Sequence, residues 1–388
     1  MSKPKCFFPN KALAIKGTRF VSHCAQSDVM FNRYDGTEKS LSKTEFNEKR
    51  KELHEAMMRG EQPKECFKCW EQENRGLKSR RQLYYDQFAQ NESYEIEHLD
   101  IFTGNACNLA CRMCNPAKST SWIKDQSLAS NLSFDLPEFE NTKVLNSLTE
   151  GVFEYVAGLK NLKRITLKGG EIFMNKGLGA FLRVIPNPQD VELTFNTNGT
   201  IVDTAALDIM KSFKKINCMV SAEAEGAMYG YIRGGKKFSL EDVFVNIKNI
   251  EAHLGSVVNI EWLITGNIYG VFSYDRLVDK IDGWFPNSKQ SGYYQIVYQP
   301  LFLNPLVIPK HIREQIISES DQEDFKQFLS YDIEERYASQ IGEDTAESLL
   351  AKFKEYTQVL DRMRKQNLFE VEPRFREVFA ELQIKKMA

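Results

Sequence analysis

The 388-residue chain carries a formal net charge of −2, with 42% hydrophobic and 27% charged residues, the profile of a soluble globular protein with one large core and a smaller appended unit. That balance argues against a generally basic, nucleic-acid-coating surface. No apolar run of about 18 residues and no signal-peptide core occurs, so no membrane association is expected and the chain reads as cytoplasmic.

Eight cysteines in a reducing compartment are poor candidates for disulfide staples. Seven of them fall within the first 114 residues, at Cys6, Cys24, Cys66, Cys69, Cys107, Cys111 and Cys114. From the N-terminus, "FFPNKALAIKGTRFVSHC" alternates around Gly17 like a short hairpin running between Cys6 and Cys24. A lysine- and glutamate-rich helix follows, then "ECFKCW" with Cys66 and Cys69. Four thiolates suffice to close a site, either a fully ligated 4Fe-4S cluster or a zinc ion. The next segment, "NRGLKSRRQLYYDQF", concentrates basic residues. It reads as a solvated helical face between two units, or as a guide in which Lys78, Arg80 and Arg81 meet an anionic partner.

From about residue 96, β-prone runs alternate with segments of helical period. The runs "EIEHLDIF", "RITLK", "VELTF", "INCMVS", "VVNIEWLIT" and "YYQIVYQP" make six candidate strands. Between them lie the helical "VLNSLTEGVFEYVAGL", "GLGAFLRVI", "TAALDIMKSF", "LEDVFVNIKNIEAHL" and "VFSYDRLVDKIDGWF". This βαβα pattern predicts an α/β fold with a parallel sheet buried on both faces. Six units are too few for a closed eight-stranded barrel and suit a partial barrel or an open sheet. Cys218, in the fourth run, reads as a small buried hydrophobe. After about residue 305 the chain turns helical and highly charged, with apolar stripes suited to covering the sheet domain. The five histidines show no ligand spacing among themselves.

Ligands of such folds bind where the strands end. The first strand is followed by "GNACNLACRMC", the second by "KGGE", the third by "NTNG" and the fourth by "SAEAEGAMYGYIRGG". Three cysteines held as CxxxCxxC leave one iron of a cubane without a protein ligand. A structural alternative is a zinc or cluster site that borrows a fourth ligand, such as His98 or another cysteine.

The spacing of Cys107, Cys111 and Cys114, together with the order of the motifs after it, resembles the radical S-adenosylmethionine (radical SAM) superfamily. The resemblance implies a partial (β/α)6 TIM-like barrel, with S-adenosyl-L-methionine chelated at the free iron of a 4Fe-4S cluster. It implies that Gly169 and Gly170 admit the methionine end of that cofactor and that Glu171 meets its ammonium. Thr197 and Ser221 would contact the ribose, and Arg233 the carboxylate. Two departures, Met113 before the third cysteine and Ile172 where a proline is common, remove no liganding group. The N-terminal cysteines resemble a twitch or SPASM-like unit that here precedes the barrel, which implies an auxiliary 4Fe-4S cluster on Cys6, Cys24, Cys66 and Cys69, zinc being the alternative. The partition expected is 1–92 twitch-like, 93–305 barrel, and 306–388 helical extension. The resemblance further implies oxidative C–H modification of a peptide or protein side chain, or dehydrogenation or rearrangement of a small molecule, with an electron donor such as flavodoxin or ferredoxin. A non-catalytic zinc or iron-sulfur interaction protein is the reading from another class.

Overall fold

The computed structural model describes residues 5–16, 20–27, 32–33, 37–41, 44–74, 78–88, 93–139, 143–234, 238–290 and 295–384. A single ten-stranded sheet organises them. Its strands are β1 (Ala12–Lys16), β2 (Phe20–Ser22), β3 (Asn32–Arg33), β4 (His98–Phe102), β5 (Arg164–Lys168), β6 (Glu192–Thr197), β7 (Lys215–Ala222), β8 (Val258–Gly266), β9 (Lys289–Gln290) and β10 (Gln295–Ile296). From β4 to β8 each strand lies parallel beside its predecessor, and β10 continues beside β8. Winding in one direction is the habit of a barrel; a doubly wound sheet reverses its order midway. The path stays open, with β3 and β10 at its ends, so the barrel is partial. The six expected strands are thus β4 to β8 and β10. Residues 291–294 of the last run lie outside the described residues.

The expectation of two buried faces holds in β4 and β5, where Leu99–Ile101 and Ile165–Leu167 are buried without a break, and is corrected in β6 and β7. In β7 burial alternates strictly, with Ile216, Cys218, Val220 and Ala222 buried and Asn217, Met219 and Ser221 half-buried. In β6, Leu193 and Phe195 are buried while Thr194 and Asn196 are half-buried. A curved, incomplete sheet covers its convex face with helices, while its concave face lines a lumen and can stay polar. The helices are amphipathic at the spacing this requires. In the helix Leu240–Leu254 the buried residues Leu240, Val243, Phe244, Ile247, Ile250 and Leu254 form one stripe, and Ser239 with Asp242 makes a capping box at its start. Each such fully buried side chain contributes about 1.5–3 kcal/mol.

The predicted helix over 144–159 is shorter, Glu150–Ala157. Residues before it are drawn into the loop after β4: Ser147 N donates to Thr103 O (3.0 Å) and Asn105 N to Leu145 O (3.2 Å), while Asn146 Oδ1 accepts from Leu148 N (3.1 Å). Backbone groups already bonded to another segment cannot enter a helical ladder.

β1 and β2 form the expected antiparallel hairpin. β1 also pairs in parallel with β4, Ala12 opposite His98 and Ile15 opposite Ile101, so the N-terminal segment continues the barrel sheet. Beneath it Phe7, Phe8, Met57, Trp70 and Phe88 pack with three of the N-terminal cysteines in a second, small core. A buried Lys11–Glu97 ion pair (3.0 Å) ties the two parts. The C-terminal segment is helical, Lys310–Glu319, Glu323–Leu329, Ala346–Arg364 and Phe375–Ile384 being its main elements, and its apolar residues join the barrel core.

Candidate functional site

The loop that leaves β4 is stitched to the loop that leaves β5. Thr103 N donates to Lys168 O (2.6 Å), Gly170 N to Gly104 O (2.8 Å) and Glu171 N to Ala106 O (2.7 Å). Asn105, fully buried, closes the cysteine loop from inside: its amide donates to Pro116 O (3.0 Å) and Lys143 O (2.9 Å), and its carbonyl accepts from Leu145 N (2.7 Å). Such close backbone approach requires glycine. A Cβ on Gly170 would lie 2.3 Å from Ala106 O. Gly170→Ala is therefore expected to push the cysteine loop outward, with a stability cost of about 1–3 kcal/mol or more. Thermal melting and the iron retained after anaerobic reconstitution measure it.

Cys107, Cys111 and Cys114 line one cleft of about 780 Å³ at the C-terminal ends of the strands, and Gly169, Gly170, Thr197, Ser221 and Arg233 line it with them. Two of the sulfurs have neighbours that can donate to them, Asn198 Nδ2 at 3.8 Å from Cys107 Sγ and Arg233 Nη1 at 3.8 Å from Cys111 Sγ. Burial raises all three thiols above the usual range, Cys111 to about 11. Thiolates persist in such a place only against positive charge, which an iron cluster supplies. The donor set, its spacing and its outer hydrogen bonds fit that group.

Three expected roles meet a more occupied geometry. Glu171, 2% exposed, lies behind the cleft wall, where its carboxylate accepts from Asn198 N (2.7 Å), Thr197 Oγ1 (2.9 Å) and Phe173 N (3.3 Å). It caps the short turn Ile172–Met174 and braces the loop after β6. The Thr197 hydroxyl is the same bond's donor, and it also accepts from Gly199 N (3.0 Å). Arg233 is held in a fork by Glu223, Nε to Oε2 at 2.7 Å and Nη2 to Oε1 at 2.9 Å, so its expected carboxylate partner is already matched within the chain. Burial raises the Glu223 carboxyl, and Arg233 opposes that. Glu223, Asn198, Lys118 and Lys168 are cleft residues to which the sequence reading assigned no role. Three of them stand inside the strand-end motifs, which was the available signal.

Burial also holds the Glu171 carboxyl up at about 7, against the three hydrogen bonds it accepts. The folded chain then keeps a proton that the unfolded chain releases near the ordinary value of 4.5. Stability from this group is complete below about 4.5 and falls by roughly 3 kcal/mol as pH rises through about 7. Denaturant unfolding of the metal-free chain across that window is expected to show the slope, and Glu171→Gln to flatten it.

Cys6, Cys24, Cys66 and Cys69 line a second cavity of about 350 Å³. His23, which the sequence reading left without a role, lines it too, with Nε2 3.7 Å from Cys66 Sγ. Gln26 N lies 3.4 Å from Cys24 Sγ. Burial raises Cys6, Cys24 and Cys66, and for Cys66 the neighbouring thiols add to it. Among the described residues, no three His, Cys, Asp or Glu side chains stand as a ready site for a single metal ion.

The basic segment is solvated only in part, and two of its arginines are turned inward. Lys78 is exposed, but Arg80 pairs with Asp100 of β4 (2.8 Å) and lies over the rings of Phe8 and Tyr84. Arg81 pairs with Glu73 and lies over Trp70. Arg80 is an internal brace between the four-cysteine unit and the barrel, and Arg81 is one within that unit, where it also donates to Lys5 O (3.1 Å); residues 75–77 lie outside the described residues. His98 is no fourth ligand to the triad. It opens β4 at the far end of the strand, roughly 13 Å from the loop, packed on Phe8, Tyr84 and Phe88. Cys218 is buried in the core, as expected of a small hydrophobe.

The C-terminal helix Ala346–Arg364 grips the cysteine loop from outside. Arg112, between Cys111 and Cys114, has no exposure and pairs with Asp361; its guanidinium lies 3.6 Å from the centre of the Tyr231 ring. Tyr356 Oη donates to Arg112 O (2.7 Å). Trp122 Nε1 donates to Cys111 O (2.9 Å), and Arg364, paired with Asp125, lies over that indole.

No family model matches the chain. A stretch of 105 residues is 32% identical to the GTP 3',8-cyclase of Campylobacter curvus (strain 525.92), covering 27% of this chain and 28% of that protein, so the match spans under a third of the relative's length. Solved structures with similar parts include Streptococcus suis SuiB bound to S-adenosylmethionine (13% identity, TM-score 0.31, 48% of this chain and 38% of that one). Others are anSMEcpe with bound AdoMet (13%, 0.39, 61% of each) and the radical S-adenosylmethionine methyltransferase TsrM from Kitasatospora setae (14%, 0.36, 57% and 40%). Three thiols on one strand-end cleft, with the glycine-glycine-glutamate loop stitched to them, are the features in which this chain resembles the radical S-adenosylmethionine superfamily.

Proposed function

We propose that the protein generates a 5'-deoxyadenosyl radical from S-adenosylmethionine for oxidative C–H modification of a peptide or protein side chain. The observation that carries the reading is the incomplete ligand set. Three thiols face the cleft, and the one acid on its wall among the described residues, Glu223, is tied to Arg233. Cys107, Cys111 and Cys114 would hold a 4Fe-4S cluster, and that group would supply the electron for reductive cleavage of the cofactor to methionine and the radical that takes a hydrogen atom from the substrate. The backbones at Gly169 and Gly170 leave room for the methionine end. The hydroxyl of Ser221 and the second oxygen lone pair of Thr197 serve the ribose, and Arg233 sets the charge beside Cys111.

A second cluster on Cys6, Cys24, Cys66 and Cys69 would accept one electron from the substrate radical, which also loses a proton, so that the substrate is oxidised by two electrons overall. Arg80, paired with Asp100, then holds that unit, residues 1–92, against the barrel of 93–305, with 306–388 as the covering extension. A flavodoxin or ferredoxin would supply the first electron. No helix of the described residues is long and apolar enough to cross a membrane, and free thiols throughout suit a reducing cytoplasm. A small-molecule substrate is the second reading, favoured by the shared stretch with a cyclase whose name specifies GTP.

Anaerobic reconstitution with iron and sulfide, followed by an assay for 5'-deoxyadenosine under reduction, tests the proposal. About eight irons per chain are expected, with cofactor cleavage. About four irons with one zinc would put zinc in the N-terminal site, and an iron-loaded chain that cleaves no cofactor would refute the radical reading.

A further inference from the structure

Three basic side chains line the cleft, Arg233, Lys118 and Lys168, and among the described residues Arg233 is the one with an ion-pair partner. Arg233 is matched by Glu223. Lys118 and Lys168 line the same wall, and among the described residues neither ammonium has a carboxylate within ion-pair distance. They are neighbours: Lys168 is the cross-strand partner of Phe102 in the β4–β5 register, and Lys118 Nζ sits 4.7 Å from the centre of the Phe102 ring. The carboxylate whose field acts on Lys168 is that of Asp100, and it is paired with Arg80 at 2.8 Å. A cubane with three thiolates carries a small negative charge and the cofactor a small positive one, so the two roughly cancel and leave the lysines in excess.

We propose that Lys118 and Lys168 form a subsite for an anionic group of the substrate, a phosphate or a carboxylate. This rests on the cleft being the radical site proposed above. Two ammonium groups on one cleft wall suit a multivalent anion, because each contributes charge-assisted hydrogen bonds in a partly desolvated wall.

Equilibrium binding to the reconstituted full chain tests it, with tripolyphosphate and a glutamate-rich peptide as probes at low and high salt. At least one probe is expected to bind, more weakly as salt rises. Lys118→Gln and Lys168→Gln should each weaken binding by about tenfold or more, while Lys168→Arg should retain most of it and exposed Lys310→Gln should leave it intact. Binding of tripolyphosphate alone assigns a phosphate, and of the peptide alone a carboxylate; either supports the subsite. Binding of neither probe, or affinities unchanged in both glutamine variants, overturns it. So does a loss of S-adenosylmethionine binding in these variants as large as the loss of probe binding, which would give the lysines to the cofactor's own carboxylate. Release of 5'-deoxyadenosine by the unmodified chain without a probe reports on the radical reading separately, so the two can fail independently.

Discussion

Replacing Cys107, Cys111 and Cys114 together by alanine is expected to abolish 5'-deoxyadenosine formation, to below about one-thousandth of the unmodified rate, and to remove about half of the bound iron. Each single alanine should cost nearly as much as the triple change, as is usual for groups that act as one unit. The physical ground is that three thiols share one cleft, and no other side chain on its wall is positioned to replace a lost thiolate, because Glu223 is bound to Arg233. Stability without metal should change little. The thiols line a cavity, and without metal burial keeps them protonated and neutral, so removing them deletes no charge. Iron analysis and circular dichroism on the same samples separate loss of the cluster from loss of the fold. Retained cleavage in the triple variant would remove the basis of the functional proposal.

Asp361→Ala should have the largest effect of any change outside the two cysteine sites. Asp361 Oδ1 accepts from Arg112 and from Tyr231 Oη (2.8 Å), and its Oδ2 accepts from Leu368 N (2.9 Å). Arg112 is wholly buried, and its remaining side-chain partner there is Gln366 Oε1 at 3.0 Å, with Nε donating to Tyr231 O at 3.1 Å. Removing the carboxylate strands a buried guanidinium, which costs about 3–5 kcal/mol. Arg112 lies between two of the three thiols, so the loss is expected to reach the cluster as well. Thermal melting should fall, and iron at the triad should become labile while iron at the four-cysteine site stays. Asp361→Asn, which preserves shape and one acceptor, should recover part of both. Equal loss of iron from the two sites would show a general unfolding and no particular grip on the loop.

Much of the catalytic end was legible in one dimension because its determinants are local. CxxxCxxC places three thiols on one loop whatever surrounds it. Glycines at 169 and 170 mark a close backbone approach, and a strand followed by polar and glycine residues marks a ligand-facing end. The six barrel strands were likewise readable from short β-prone runs separated by helical stripes. Period-two alternation in "VELTFNT" and "KINCMVSA" even held the polar inner face that the expectation of two buried faces overlooked.

What the chain does at long range was not readable. Which donors would claim Glu171, and that Glu223 would claim Arg233, depended on loops that meet only after the strands align. The basic segment gave the clearest failure. Arg80 and Arg81 looked like surface charge because their partners, Asp100 and Glu73, are set by the packing of the N-terminal unit under β4. Likewise Arg112 met Asp361 across 249 positions. Composition and spacing specify which groups are available and what they can ligate. Only the assembled sheet and its helical cover decide which of those groups neutralise one another and which, like Lys118 and Lys168, are left facing the cleft, because electrostatic pairing follows distance in space and desolvation rather than order along the chain.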